Sequence, residues 1–184
     1  MSELPSWIAR ARDHWRWRGA ERPPFAVVPK PGQSSVWDFP RPPRIERETR
    51  EVLVRWGERL VARTQSAVKV LETGHPPSFY LPWLDVDKSL LQPAEGSSFC
   101  EWKGPARYFS LVDGDQSLAG VAWSYPKPLA GAEAVAECVA FYTNGLTCFV
   151  GGAAVTPQPG GFYGGWITPE LVGPFKGEPG SSGW

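Results

Sequence analysis

The sequence lacks most of the features that mark common functional classes. Neither sign of charge is in excess, since 19 Lys and Arg stand against 19 Asp and Glu. A surface that holds nucleic acid needs a cationic surplus, so no nucleic-acid partner is expected, and nothing favours an anionic membrane surface. No run approaches the roughly 18 apolar residues of a membrane-spanning helix. Met1 to Pro5 show no basic stretch leading into an apolar one, so no export signal is expected. Only three cysteines occur, Cys100, Cys138 and Cys148, with no C-x-x-C spacing. An odd, dispersed set suggests free thiols in a reducing compartment, and a cytoplasmic protein is the expectation. Only two histidines occur, far apart, and with unpaired cysteines they do not make zinc spacing. No dinucleotide fingerprint, phosphate loop or nucleophile elbow is present. No metal and no cofactor are expected.

What the chain does have is proline, glycine and tryptophan: 20, 20 and 10 residues. The first two break helices and punctuate turns. Tryptophan at this density supplies large flat surfaces for burial or binding. At roughly 150 residues per domain, the 184 residues suggest one compact domain that is mainly β and antiparallel. Three segments are expected: an N-terminal helix and wrapping arm over 1–49, a β-domain over 50–150, and a Gly/Pro-rich C-terminal arm over 151–184.

Trp7, Ala11 and Trp15 recur at i, i+4 and i+8, which predicts a helix over Ser6–Arg18 stopped by Gly19. The prolines of 20–49 exclude regular structure, while Phe25, Val36, Trp37 and Phe39 predict that the arm packs on the body. Strands are predicted either side of Gly57-Glu58 and Asp113-Gly114, with further strands at Ser66–Glu72 and Phe79–Leu81. Asp85 is expected to cap a brief helical turn running to Leu91, and Gly131–Glu137 a short helix. Asn144-Gly145 is the strongest hairpin signal. It pairs Phe141 with Cys148 and Val139 with Val150, and turns Cys138 away from them.

Chemistry concentrates in mid-chain. Glu72, His75, Tyr80 and Asp85 are followed by Cys100, Trp102, Lys103 and Tyr108, then by Trp123 and Tyr125. A carboxylate, an amine, a thiol and phenols in one pocket would suit acid–base or nucleophilic work. A Trp/Tyr cage would equally capture a flat or cationic small molecule. Each residue also has a plainer role. Glu72 and Lys103 can form a buried ion pair, Cys100 can be a packed thiol, His75 a turn residue, Asp85 a cap, and Trp102 and Trp123 core. Of these residues, Glu72, Tyr80, Cys100, Lys103 and Tyr108 are expected to face one cavity, because each interrupts or ends an apolar strand where a buried polar group needs a partner.

The run Val36-Trp37-Asp38-Phe39-Pro40-Arg41-Pro42-Pro43, with Leu71-Glu72-Thr73, Tyr80-Leu81-Pro82, Asp85-Val86, Cys100-Glu101-Trp102-Lys103-Gly104, Trp123-Ser124-Tyr125-Pro126 and Ala140-Phe141-Tyr142, resembles a bacterial family known as domain of unknown function 427, sometimes labelled nucleotidyltransferase-like. Phe99 and Glu101 stand where that family commonly has Thr and Pro. The resemblance implies a small all-β fold, with the β-tent as one form, and a pocket lined by the mid-chain cluster. It implies no agreed reaction. Three functions stay open: binding of a small molecule, cofactor-independent acid–base or nucleotidyltransferase-like catalysis, and protein interaction through the Trp-rich N-terminal arm.

Overall fold

The computed structural model describes residues 5–184. The fold is mainly β and antiparallel, with one α-helix, α1 (Ser6–Asp13). The strands are β1 (Ser34–Ser35), β2 (Arg44–Arg47), β3 (Val52–Trp56), β4 (Arg59–Thr64), β5 (Val68–Leu71), β6 (Ser78–Pro82), β7 (Leu91–Cys100), β8 (Gly104–Asp113), β9 (Gln116–Ser124), β10 (Cys138–Phe141), β11 (Thr147–Val150), β12 (Ala153–Ala154), β13 (Thr156–Pro157), β14 (Trp166–Ile167) and β15 (Leu171–Val172). A seven-stranded sheet runs β2-β5-β6-β10-β9-β8-β7, and a four-stranded sheet runs β12-β11-β3-β4.

Period-two alternation sorts the side chains of the larger sheet onto two faces. Phe79, Leu81, Val121, Val139 and Phe141 meet Val52, Val54, Val61 and Cys148 of the smaller sheet in the main core. Tyr80, Ala106, Trp123, Cys138 and Ala140 lie on the opposite face. That second face carries the site described below.

The hairpins at Gly57-Glu58 and after Asp113 form as the turn residues predict. The Asn144-Gly145 hairpin does not. The chain does turn there, with the Leu146 N–H donating to the Thr143 carbonyl at 3.0 Å. However, β10 already pairs with β6 and β9 on its two edges, while β11 pairs with β3 and β12. Phe141 therefore faces Ala122 and Cys148 faces Val54. The turn is a corner between sheets. Val139, Phe141, Leu146, Cys148 and Val150 still share one core, but they reach it from two sheets. Cys138 sits in the other core, and all three thiols are free.

Two more expectations change. The helix stops at Asp13 rather than Arg18, because the chain beyond bonds to the body: the Arg41 guanidinium takes the Trp17 carbonyl and the Arg41 N–H the Arg18 carbonyl. Its buried residue is Ile8, while Trp7 lies half-exposed against Phe99. The prolines of 20–49 do not exclude strands either. β1 pairs in parallel with β15, and β2 forms an edge of the large sheet, so no break in the fold falls at residue 50. Val36, Trp37 and Phe39 are buried with Leu71, and Phe25 stacks on Trp184. The two ends of the chain are knitted together here.

Glu48, buried beside β2, accepts hydrogen bonds from the Arg50 side chain and backbone and from Lys69. Burial opposes its charge, yet Arg50 and Lys69 hold it at about 2, below the ordinary 4.5. A carboxylate with a depressed pKa contributes stability above its unfolded value and loses it as pH falls through the folded one. Stability should therefore decline between about pH 4.5 and 2, and Glu48→Gln should flatten that limb. Urea titrations at several pH values check this; identical acid limbs in both proteins would refute it.

Candidate functional site

The face of the large sheet turned away from the smaller one forms the floor of a cavity of about 210 Å³. Tyr80, Tyr108 and Trp123 rise from β6, β8 and β9, and the Trp123 indole donates to the Tyr80 hydroxyl at 3.3 Å. Burial pushes the Tyr80 phenol up to about 12 and raises Tyr125 as well, so both remain O–H groups at neutral pH. Cys100 ends β7, and Lys103 stands in the turn leading to β8. That turn needs Gly104, whose φ of +95° is disfavoured for any residue with a Cβ.

Glu72, Tyr80, Cys100, Lys103, Tyr108, Trp123 and Tyr125 all line this cavity. Asp85 and Trp102 do not. Asp85 accepts the Thr64 hydroxyl at 2.6 Å, and the turn at Lys88–Leu90 is capped by Asp87 through the Ser89 N–H. Trp102 lines a second cavity of about 210 Å³, together with Arg12, Pro42 and Ala130.

The expected Glu72–Lys103 ion pair is replaced by another. Glu72 pairs with Arg41 at 3.0 Å, both side chains being largely buried. Burial disfavours the carboxylate, but His75, Lys103 and Arg41 overcome this and lower its pKa. Arg41 also donates to the Thr73 carbonyl and lies 3.8 Å over the Trp15 ring. The Lys103 side chain is left with no hydrogen bond and no ion pair among the described residues, although its carbonyl accepts from the Leu129 N–H. Burial opposes its charge, but Coulomb attraction to Cys100, Tyr80, Tyr125 and Glu72 in their ionised forms raises its pKa well above the ordinary 10.5; at neutral pH, with both phenols uncharged, Glu72 is the anion that favours the ammonium. Its ammonium lies 5.8 Å from the centre of the Tyr125 ring, in the wall of the cavity.

His75, which the sequence suggested was a turn residue, is a wall of the cavity. Its hydrogen placement follows from Gln158. Gly165 N–H donates to Gln158 Oε1 at 3.1 Å, and Gln158 Nε2 donates to the Lys176 carbonyl at 2.8 Å. The second amide hydrogen then goes to His75 Nδ1, 2.9 Å away. Nδ1 accepts, so Nε2 carries the hydrogen. Burial pushes the pKa down to about 4, with Arg41, Lys103 and Lys176 adding to it and Glu72 opposing. The ring is neutral at physiological pH.

The roof comes from both chain ends. Trp15 donates its indole hydrogen to Glu101 at 2.9 Å. From the other end, Phe162, Tyr163 and Gly164 close the rim, with Tyr163 4.6 Å edge-on to His75. A Cβ on Gly164 would stand 2.1 Å from the Trp123 ring, so only glycine lets this segment lie so close. The sequence interleaves Gly160, Gly161, Gly164 and Gly165 with Phe162, Tyr163 and Trp166, but it does not say what the aromatics cover. The clue to Arg41 was a charge within an apolar, Pro-rich run.

Among the described residues, no three His, Cys, Asp or Glu side chains gather where they could hold a metal ion. No described helix is long and apolar enough to cross a membrane. A family model described as a domain of unknown function (DUF427) matches residues 44–152. No curated protein matches the chain.

Proposed function

We propose that this chain, which belongs to the DUF427 family, binds a small, flat organic acid in its polar–aromatic cavity. The observation that carries this reading is Lys103, a half-buried residue whose ammonium lies 5.8 Å from the centre of the Tyr125 ring and makes no hydrogen bond or ion pair among the described residues. A buried charge is costly unless paired, so an anion from outside would complete it. Trp15, Trp123, Tyr142 and Tyr163 supply flat walls, and the neutral His75 supplies a fixed N–H donor. Size limits the choice. The cavity, about 210 Å³, is smaller than the roughly 300–1,000 Å³ of pockets for drug-sized ligands. Free thiols fit a reducing, cytoplasmic setting.

A second reading is acid–base catalysis on the same bound acid. It is favoured by the neutral, tautomerically fixed His75 lining the same cavity as Lys103. Glu72 is not the exchanging partner in this version, because Arg41 holds it.

The test uses 4-nitrophenol, whose yellow phenolate reports its own ionisation. Lys103 should bind the phenolate and deepen the colour below the pH at which the free phenol ionises. Lys103→Met should weaken binding by about tenfold or more, the loss of one charge-assisted hydrogen bond. It should leave stability unchanged or higher, since no partner is stranded and a desolvated charge is removed. Equal binding by both proteins, or none by the wild type, would sink the proposal.

A further inference from the structure

The second cavity shares two wall residues with the first, Val70 and Lys103, so the lysine stands between two chambers of about 210 Å³ each. Their linings differ. The first is built mainly of aromatic rings and phenols. The second is lined by Pro42, Pro43, Ile45 and Ala132, with Trp102 on one side. Aliphatic walls do not demand a flat ligand. The charged residues are also one-sided: Arg12 and Lys103 line the second chamber and, among the described residues, no acidic side chain does.

Trp102 adds an independent observation. It is only 8% exposed, and its indole N–H has no acceptor among the described residues. Buried N–H groups are rarely left so. Arg12 lies over the ring at 4.7 Å and is fixed by donating from Nε to the Glu101 carbonyl at 2.8 Å, which leaves its terminal nitrogens for a ligand.

We propose that the second chamber is a binding site for a compact aliphatic carboxylate, whose oxygens pair with Arg12 and Lys103 while its hydrocarbon part packs on Trp102, Ile45 and the prolines. The chamber stands independently of the reading given to the first. Only one consequence rests on that reading: because the single Lys103 ammonium serves both chambers, the two acids oppose each other's binding.

Cyclohexanecarboxylate is the probe, with cyclohexylmethanol as its neutral counterpart. The readout is the indole Nε1–H resonance of Trp102 in NMR spectra, assigned through Trp102→Phe. The acid should shift that resonance saturably and the alcohol should not. Arg12→Gln should weaken binding about tenfold, as for one charge-assisted hydrogen bond. Ala130 is exposed at the chamber's rim, so Ala130→Trp should fold and block the acid while leaving 4-nitrophenol binding intact. Saturating cyclohexanecarboxylate should lower the apparent affinity of the wild type for 4-nitrophenol. No shift with the acid, an equal shift with the alcohol, or an undiminished shift in both variants would overturn the second chamber even if 4-nitrophenol binds. Failure of 4-nitrophenol to bind alongside a normal Trp102 response would overturn the first reading and leave the second chamber standing. Unchanged 4-nitrophenol affinity at saturation would overturn the sharing of Lys103.

Discussion

Arg41→Met will destabilise the protein by about 3–5 kcal/mol, the cost of breaking a buried ion pair from one side. The Arg41 side chain is 2% exposed and that of Glu72 14%, so the carboxylate left behind has little water to turn to. The change also frees the carbonyls of Trp17 and Thr73 and removes the cation stacked on Trp15. The contrast with Lys103→Met is informative. Both are cations beside Glu72, but only one is bonded to it. Adding Glu72→Gln to Arg41→Met should recover part of the loss, since the stranded charge is gone. Urea unfolding of the single and double variants measures all of this. A cost under about 1 kcal/mol for Arg41→Met would show that the pair is not what fixes this wall.

Trp166→Ala should cost a similar amount, about 3–5 kcal/mol, as for a large aromatic removed from a packed core. Trp166 is 1% exposed and stacks on Phe79 at 5.2 Å. Its indole donates to the Phe141 carbonyl at 2.8 Å, and its backbone N–H bonds the Pro77 carbonyl. The substitution therefore leaves both a void and an unpaired acceptor. Because Phe162–Gly164 lie just upstream, the cavity rim should loosen as well, and 4-nitrophenol affinity should fall along with stability. Retained stability would mean that the C-terminal arm is not anchored through this residue.

Local signals were readable where the local structure decided the outcome. Gly57-Glu58 closes a true hairpin because β4 takes the edge of β3 that β11 leaves open. Asn144-Gly145 carries a stronger turn signal and joins strands that never pair, because the edges of β10 are already taken by β6 and β9. β7 went unseen for the opposite reason. Pro93, Gly96 and two serines give it no strand pattern, and an exposed edge strand with one neighbour tolerates them. At the site, the rule that a polar residue ending an apolar strand needs company brought Glu72, Tyr80, Cys100, Lys103 and Tyr108 to one cavity. The rule does not say which company. Arg41 reaches Glu72 from 31 positions earlier, and no spacing encodes that meeting. Asp85 and Asp87 are equivalent caps on paper, and the Thr64 hydroxyl decides between them.

The roof of the first cavity belongs to neither end alone. Trp15 enters from before the family-matched segment, and Phe162, Tyr163 and Gly164 from beyond it, while Lys103, His75, Tyr80 and Trp123 lie within. A fragment cut at residues 44 and 152 would carry Lys103, His75, Tyr80 and Trp123 on an open tray. On the proposed reading, substitutions of Trp15 or Tyr163 should change which phenols bind while leaving Lys103 in place.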